Sequence, residues 1–273
     1  MIMNLLQLLF NAADTIVVGR FNGKEAMAAV GATGSLVNLL VNLFMGLSVG
    51  ASVVVAQEYG ARSQRGVTRA VHTSMTLSII GGLAVMAFGL FLSRPMLELM
   101  GTPEDILELS SLYLRIYFIG MPANLVYNFG AAILRAVGDS RRPMIFLSVS
   151  GCVNVALNLF FVACLDMSVA GVAWATVISQ YLSALLVVGF MIRSESAVRL
   201  SLRHLQIHKE EFVRIIRIGV PAGLQGMLFS VSNVLVQSAV NSFGSTMVAA
   251  ATAASNIQGL TDTANNALYN SAI

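Results

Sequence analysis

The sequence predicts an all-α polytopic membrane protein with about eight transmembrane helices present. Three observations predict it. The 273 residues are 56% hydrophobic and only 11% charged, with a mean hydropathy of +0.78, whereas a soluble domain carries about 25% charged residues. The apolar residues also fall into runs long enough to cross a hydrocarbon core of about 30 Å. Finally, no segment alternates with the two-residue period of a barrel strand.

The predicted spans run at about 1–20, 28–57, 71–92, 111–136, 143–164, 169–192, 216–240 and 247–273. The first has no basic leader and no small-residue cleavage site that its polar Asn4, Gln7, Asn11 and Asp14 would fit, so it reads as a span and not as a signal peptide. The second carries Gly46-x-x-x-Gly50, a spacing that lets helices approach closely. His72 opens the third and is expected to be solvated, like His204 and His208. The fourth reads as one helix although it contains Pro122. The fifth holds both cysteines, Cys152 and Cys164, taken as buried thiols; twelve residues of helix put them about 18 Å apart, too far for a disulfide. The sixth holds Thr176 and Gln180. The seventh is punctuated by Gly219, Pro221, Gly223 and Gly226, for close packing or for bending, and the eighth contains Asp262.

Orientation follows from the basic residues. Arg62, Arg65 and Arg69 follow the second span, and Arg135, Arg141 and Arg142 follow the fourth. Arg193, Arg199, Arg203, Lys209, Arg214 and Arg217 follow the sixth, so these loops hold twelve of the sixteen Lys and Arg. Positive-inside bias puts this side, and the N-terminus with it, in the cytoplasm. The same distribution argues against nucleic acid as the reason for the net charge of +3, because the cations lie between apolar runs and not along one face.

Residues 195–215 mix Val198, Leu200, Leu202, Leu205 and Ile207 with Arg199, Arg203 and Lys209. A basic amphipathic segment of this kind is expected on the inner leaflet, as a cytoplasmic linker between a six-helix lobe, 1–194, and the start of a second, 216–273. An internal repeat supports the division. Residues 9–22 align with 228–241, pairing Asp14 with Asn233 and Asn22 with Asn241, and Ala28, Ala29 and Ala32 align with Ala249, Ala250 and Ala253. Two copies that enter from the same side would be related by an axis along the membrane normal. In this alignment the first copy is slightly short at its start. The second stops at Ile273, opposite Ser52, so about four further helices are expected beyond this sequence.

Polar side chains inside the spans come in helical pairs. Asn11 and Asp14 are three apart; Asn38 and Asn42, Asn124 and Asn128, Asn154 and Asn158, and Thr176 and Gln180 are four apart, so each pair shares a helix face. Such faces turn inward, either as interhelical hydrogen bonds or as the lining of a site. Asp14 points to the second alternative, because a carboxylate at mid-span costs about 2.5–3.5 kcal/mol on insertion scales and needs a partner. With amide and hydroxyl oxygens it would suit Na⁺, or it would bind a proton.

Several stretches together resemble the multidrug and toxic compound extrusion (MATE) family. They are Asn11-Ala-Ala-Asp14-Thr-Ile-Val-Val-Gly19, Met45-Gly-Leu-Ser-Val-Gly-Ala-Ser52, Gln57-Glu-Tyr-Gly-Ala61, Arg135-Ala-Val-Gly-Asp-Ser-Arg-Arg-Pro143, Asn154-Val-Ala-Leu-Asn158 and Gly219-Val-Pro-Ala-Gly223. The resemblance implies a MATE-like bundle of twelve helices in two lobes, of which about eight are present. It implies a non-enzymatic secondary transporter in the plasma membrane, the inner membrane of a bacterium, monomeric at full length. It implies export of amphipathic, often cationic organic compounds by antiport with Na⁺ or H⁺ as the coupling ion, and no cofactor. The coupling site that it implies, and the Na⁺ site if sodium is the ion, is Asp14, Asn154, Asn158 and Thr176. The substrate cavity is expected to use Asn11, Asn38, Asn42, Asn124, Asn128 and Gln180. Two positions depart from some members: Asn158 replaces a second aspartate and Phe10 a tyrosine. The alternatives are a lipid-linked saccharide flippase of the same superfamily, which would need basic residues in its cavity, and a truncated membrane protein that does not transport.

Overall fold

Apolar runs of more than twenty residues with few charges have one stable form in lipid, the helix, which satisfies its own backbone. The structure, a computed structural model, describes residues 19, 23–165, 167–194, 197–201, 205–255 and 258–259, and all its described elements are helical. In order they are α1 (Gly23–Gly60), α2 (Gln64–Leu99), α3 (Glu104–Ile119), α4 (Met121–Ala136), α5 (Arg141–Leu159, running on as a π-helical turn Phe160–Cys164), α6 (Val169–Arg193) and α7 (Lys209–Asn241). Residues 245–255 form a further helical stretch. Five of these helices are long and apolar enough to cross a membrane singly. Asn11, Asp14 and Asp262, singled out from the sequence, lie outside the described residues.

The fourth expected span is not one helix. It divides into α3 and α4, bent by 49° at Gly120. Pro122 has no N–H for the carbonyl of Phe118, and its ring crowds that carbonyl, so the helix breaks there. Tyr181 of α6 braces the break by donating its hydroxyl to Ile119 O at 3.1 Å.

Packing is closest between α1 and α7, where small residues replace side chains with backbone. A Cβ on Gly219 would lie 2.7 Å from Leu47 Cα, and one on Gly46 would overlap the backbone of Gly223. The glycines of spans two and seven thus face each other. Arg214 closes the contact at one end, with Nη1 on Glu58 Oε1 at 2.5 Å and Nη2 on Gln57 Oε1 at 2.8 Å. At the far end of α7, Asn241 donates to Met100 O, just past the end of α2, at 3.1 Å.

Two expectations about exposure are corrected. His72 is 4% exposed, not solvated. Its Nδ1 lies 2.8 Å from Thr68 O and its Nε2 accepts from Ser201 N at 3.2 Å, because the connection after α6 folds back over α2. The apolar side of that connection is turned into the protein at Val198 and Leu200, which join the core with Ala51, Val71 and Ile215. Cys152 and Cys164 are exposed thiols instead of buried ones, since their face of α5 is not the face that packs.

Apolar cores occupy both ends of the bundle. One joins Val54, Met75, Phe129, Ile133 and Met191, and the other joins Ala28, Ala32, Ile106, Val172 and Val248; a third core, with Leu36, Val85, Leu97, Leu114 and Phe118, packs α1, α2 and α3 together. The polar residues of α1, α4, α5 and α6 fall between the first two.

Candidate functional site

Between the cores lies a cavity of about 330 Å³. Helix geometry explains its polarity. Residues four apart stand one above the other, so each i,i+4 pair presents two polar groups to the same space. Asn38 and Asn42 come from α1, Asn124 and Asn128 from α4, Asn154 from α5, and Thr176 and Gln180 from α6. Seven residues singled out from the sequence therefore meet on one surface. Asn158 is not in the lining; it is 1% exposed and stands behind Asn154.

The amides divide by what they bond. Asn128 Nδ2 donates to both O and Oδ1 of Asn124 at 2.9 Å, so this pair bonds within its own helix. Asn42 Nδ2 crosses to Ser230 Oγ of α7 at 2.7 Å. Asn154 ties α5 to α6: its Nδ2 reaches Thr176 Oγ1 at 3.5 Å and Ser179 Oγ at 3.4 Å, and its Oδ1 accepts from Asn158 Nδ2 at 3.2 Å. Thr176 donates its own proton to Val172 O at 2.9 Å, leaving the Oγ1 lone pairs turned to the cluster. The result is a group of neutral oxygens on α5 and α6 of the kind that hard cations take.

Sequence reasoning missed the other polar lining residues, Tyr113, Tyr117, Tyr127, Ser150, Ser179 and Ser183; Val37, Val41, Met45, Leu147 and Gly151 complete the wall. Tyr113 and Tyr117 are also four apart and stack with centroids 6.0 Å apart, so the spacing rule applied to amides would have found them. The serines carried no signal. Ser150, Ser179 and Ser183 return their protons to carbonyls of their own helix, as serine does in any membrane span. Among the described residues, no Asp, Glu, Lys, Arg or His lines the cavity.

Known proteins resemble this chain in sequence and in fold. A sequence model of the family described as MatE matches residues 1–160. The chain is 32% identical over 257 residues to "Probable multidrug resistance protein YoeA" of Bacillus subtilis (strain 168), an alignment that covers 90% of this chain and 55% of the relative. It is 29% identical over 248 residues to "Probable multidrug resistance protein YpnP" of the same organism, covering 91% and 55%. The chain thus spans about half the length of the curated relatives it matches. A solved structure described as the inward-facing conformation of a multidrug resistance MATE family transporter of the MOP superfamily has a TM-score of 0.84 at 29% identity, over 93% of this chain and 60% of that one.

Proposed function

This chain belongs to the MatE family, and from that premise we propose that it builds the N-terminal lobe of a secondary active transporter. The transporter exports drugs or other amphipathic, often cationic organic compounds by antiport with Na⁺ or H⁺. One observation carries the proposal: a cavity at mid-height, among helices of membrane length, is lined among the described residues by uncharged amides, hydroxyls and apolar side chains, and shares a wall with the Asn154–Thr176–Ser179 cluster.

In this reading Asp14 of the first span is the coupling carboxylate. Asn154, Asn158 and Thr176 supply neutral oxygens to the same ion, a donor set that suits Na⁺; with H⁺ as the ion, Asp14 takes the proton. Ion and substrate then compete. Each binds one arrangement of the lobe better than the other, and only such a difference can drive the exchange. The lobe is 1–194, the connection 195–215, and 216–273 begins a second lobe. The protein sits in the bacterial inner membrane with its N-terminus in the cytoplasm, binds small molecules and not nucleic acid, works as a monomer and catalyses no reaction. A lipid-linked saccharide flippase would want cations for its pyrophosphate, and the cavity lining offers none among the described residues.

The test replaces Asp14 with Asn in the intact gene product. Export of a cationic dye driven by an imposed Na⁺ or H⁺ gradient should be lost while the protein still reaches the membrane. Unchanged gradient-driven export at equal protein level refutes the coupling assignment.

A further inference from the structure

Gln180 of α6 stands apart from the other amides of the cavity. Asn42 is held by Ser230, Asn124 and Asn128 by each other, and Asn154 by Thr176 and Ser179. The carboxamide of Gln180 has no hydrogen bond among the described residues, and its Oε1 is buried without a donor. Its place is made by the break between α3 and α4. Gly120, at the break, turns an empty face to it, and a Cβ there would overlap Oε1. The backbone does not need glycine at that point, because φ −77° and ψ −13° are ordinary helical angles. The space for Gln180 does.

We propose that Gln180 is the specificity-determining contact of the cavity, selecting guests that carry N–H donors over fully N-alkylated guests of the same skeleton and charge. The inference rests on the transporter reading above. Where it sits against Gly120, Oε1 is out of a guest's reach and no hydrogen bond holds it there, so the amide is free to turn its oxygen toward a guest N–H in the cavity. The terminal torsion of a glutamine amide is soft and roughly two-fold, so turning it exchanges which end meets the guest. A protonated amine then gains a charge-assisted bond, whereas a permethylated cation leaves the oxygen as it was. Asn38 also lacks a hydrogen bond among the described residues, but it is exposed. Its amide exchanges water for guest and discriminates less.

The experiment uses two fluorescent cations, a rhodamine methyl ester with unsubstituted amino groups and its tetramethylated counterpart. Efflux of each is measured from cells that express the intact gene product and lack other pumps. Gln180→Met keeps the length of the side chain and removes the amide. It should lower efflux of the free-amine dye about tenfold, the worth of one such hydrogen bond, and leave the tetramethyl dye unchanged. Gln180→Glu restores an acceptor and should restore the free-amine dye. Equal losses for both dyes, or no loss for either, would overturn the proposal. If the parent exports neither dye, the transporter reading fails instead. Dye binding to purified parent and Gln180→Met, read by fluorescence anisotropy, then decides for Gln180: a selectively weakened free-amine dye supports the contact, and any other result overturns it.

Discussion

Replacing Asn154 with leucine separates the two roles its carboxamide can hold, helix tie or ion ligand. Leucine copies the branching of asparagine atom for atom and removes only polarity. The bonds lost are those from Nδ2 to Thr176 and Ser179 at 3.5 and 3.4 Å and that from Asn158 at 3.2 Å. All are at or beyond the long end of the usual range of about 2.7–3.2 Å. Side-chain bonds between helices in a membrane average about 0.6 kcal/mol, so the two that cross from α5 to α6 contribute about 1 kcal/mol together. The bond from Asn158 is a third of the same kind and adds about 0.6 kcal/mol. Thermal unfolding in detergent should therefore register a loss of about 2 kcal/mol, which leaves the bundle folded. Loss of an ion ligand is a larger effect on function, and gradient-driven efflux should fall more than tenfold, at least 1.4 kcal/mol. Both are measured on the same preparation, well below its unfolding temperature. Efflux that keeps its rate and its dependence on the ion, with stability lowered as calculated, would refute the assignment of Asn154 to the coupling site and leave it a tie between helices.

Two further predictions concern α1. Gly46→Ala should destabilise the protein by about 1–3 kcal/mol, because its methyl meets the backbone of Gly223, which has no rotamer to yield. Gly34→Ala on the same helix meets nothing within 4 Å and should stabilise by about 0.5–1 kcal/mol; equal thermal shifts for the two would contradict the close α1–α7 contact. The Arg214–Glu58 pair, with side chains 41% and 19% exposed, should contribute only about 0.2–1 kcal/mol and less in high salt. A double-mutant cycle with Arg214→Gln and Glu58→Gln reads this directly, and a coupling well above 2 kcal/mol would show that exposure does not set its strength.

Among the described residues, the spans and their order belong to the sequence alone, the bend in the fourth apart. Span six, expected over 169–192, is Val169–Arg193, and span five, expected over 143–164, is Arg141–Cys164. Apolar length is a local property, and lipid leaves a backbone only one way to satisfy itself. That each amide pair shares a face was legible for the same reason, since four residues of helix make a turn wherever the helix is placed. What each amide does was not legible. Asn124 and Asn128 have the spacing of Asn154 and Asn158, and each pair bonds within itself, yet only the second also reaches another helix. The partner of Asn42 lies 188 positions away, and His72 is buried by a connection that begins after α6. Gly120 reads as a flexible point in the chain until Gln180 is seen against it. Each of these depends on which helix stands opposite, and that is decided by the simultaneous packing of all the helices, which no periodicity along one of them contains.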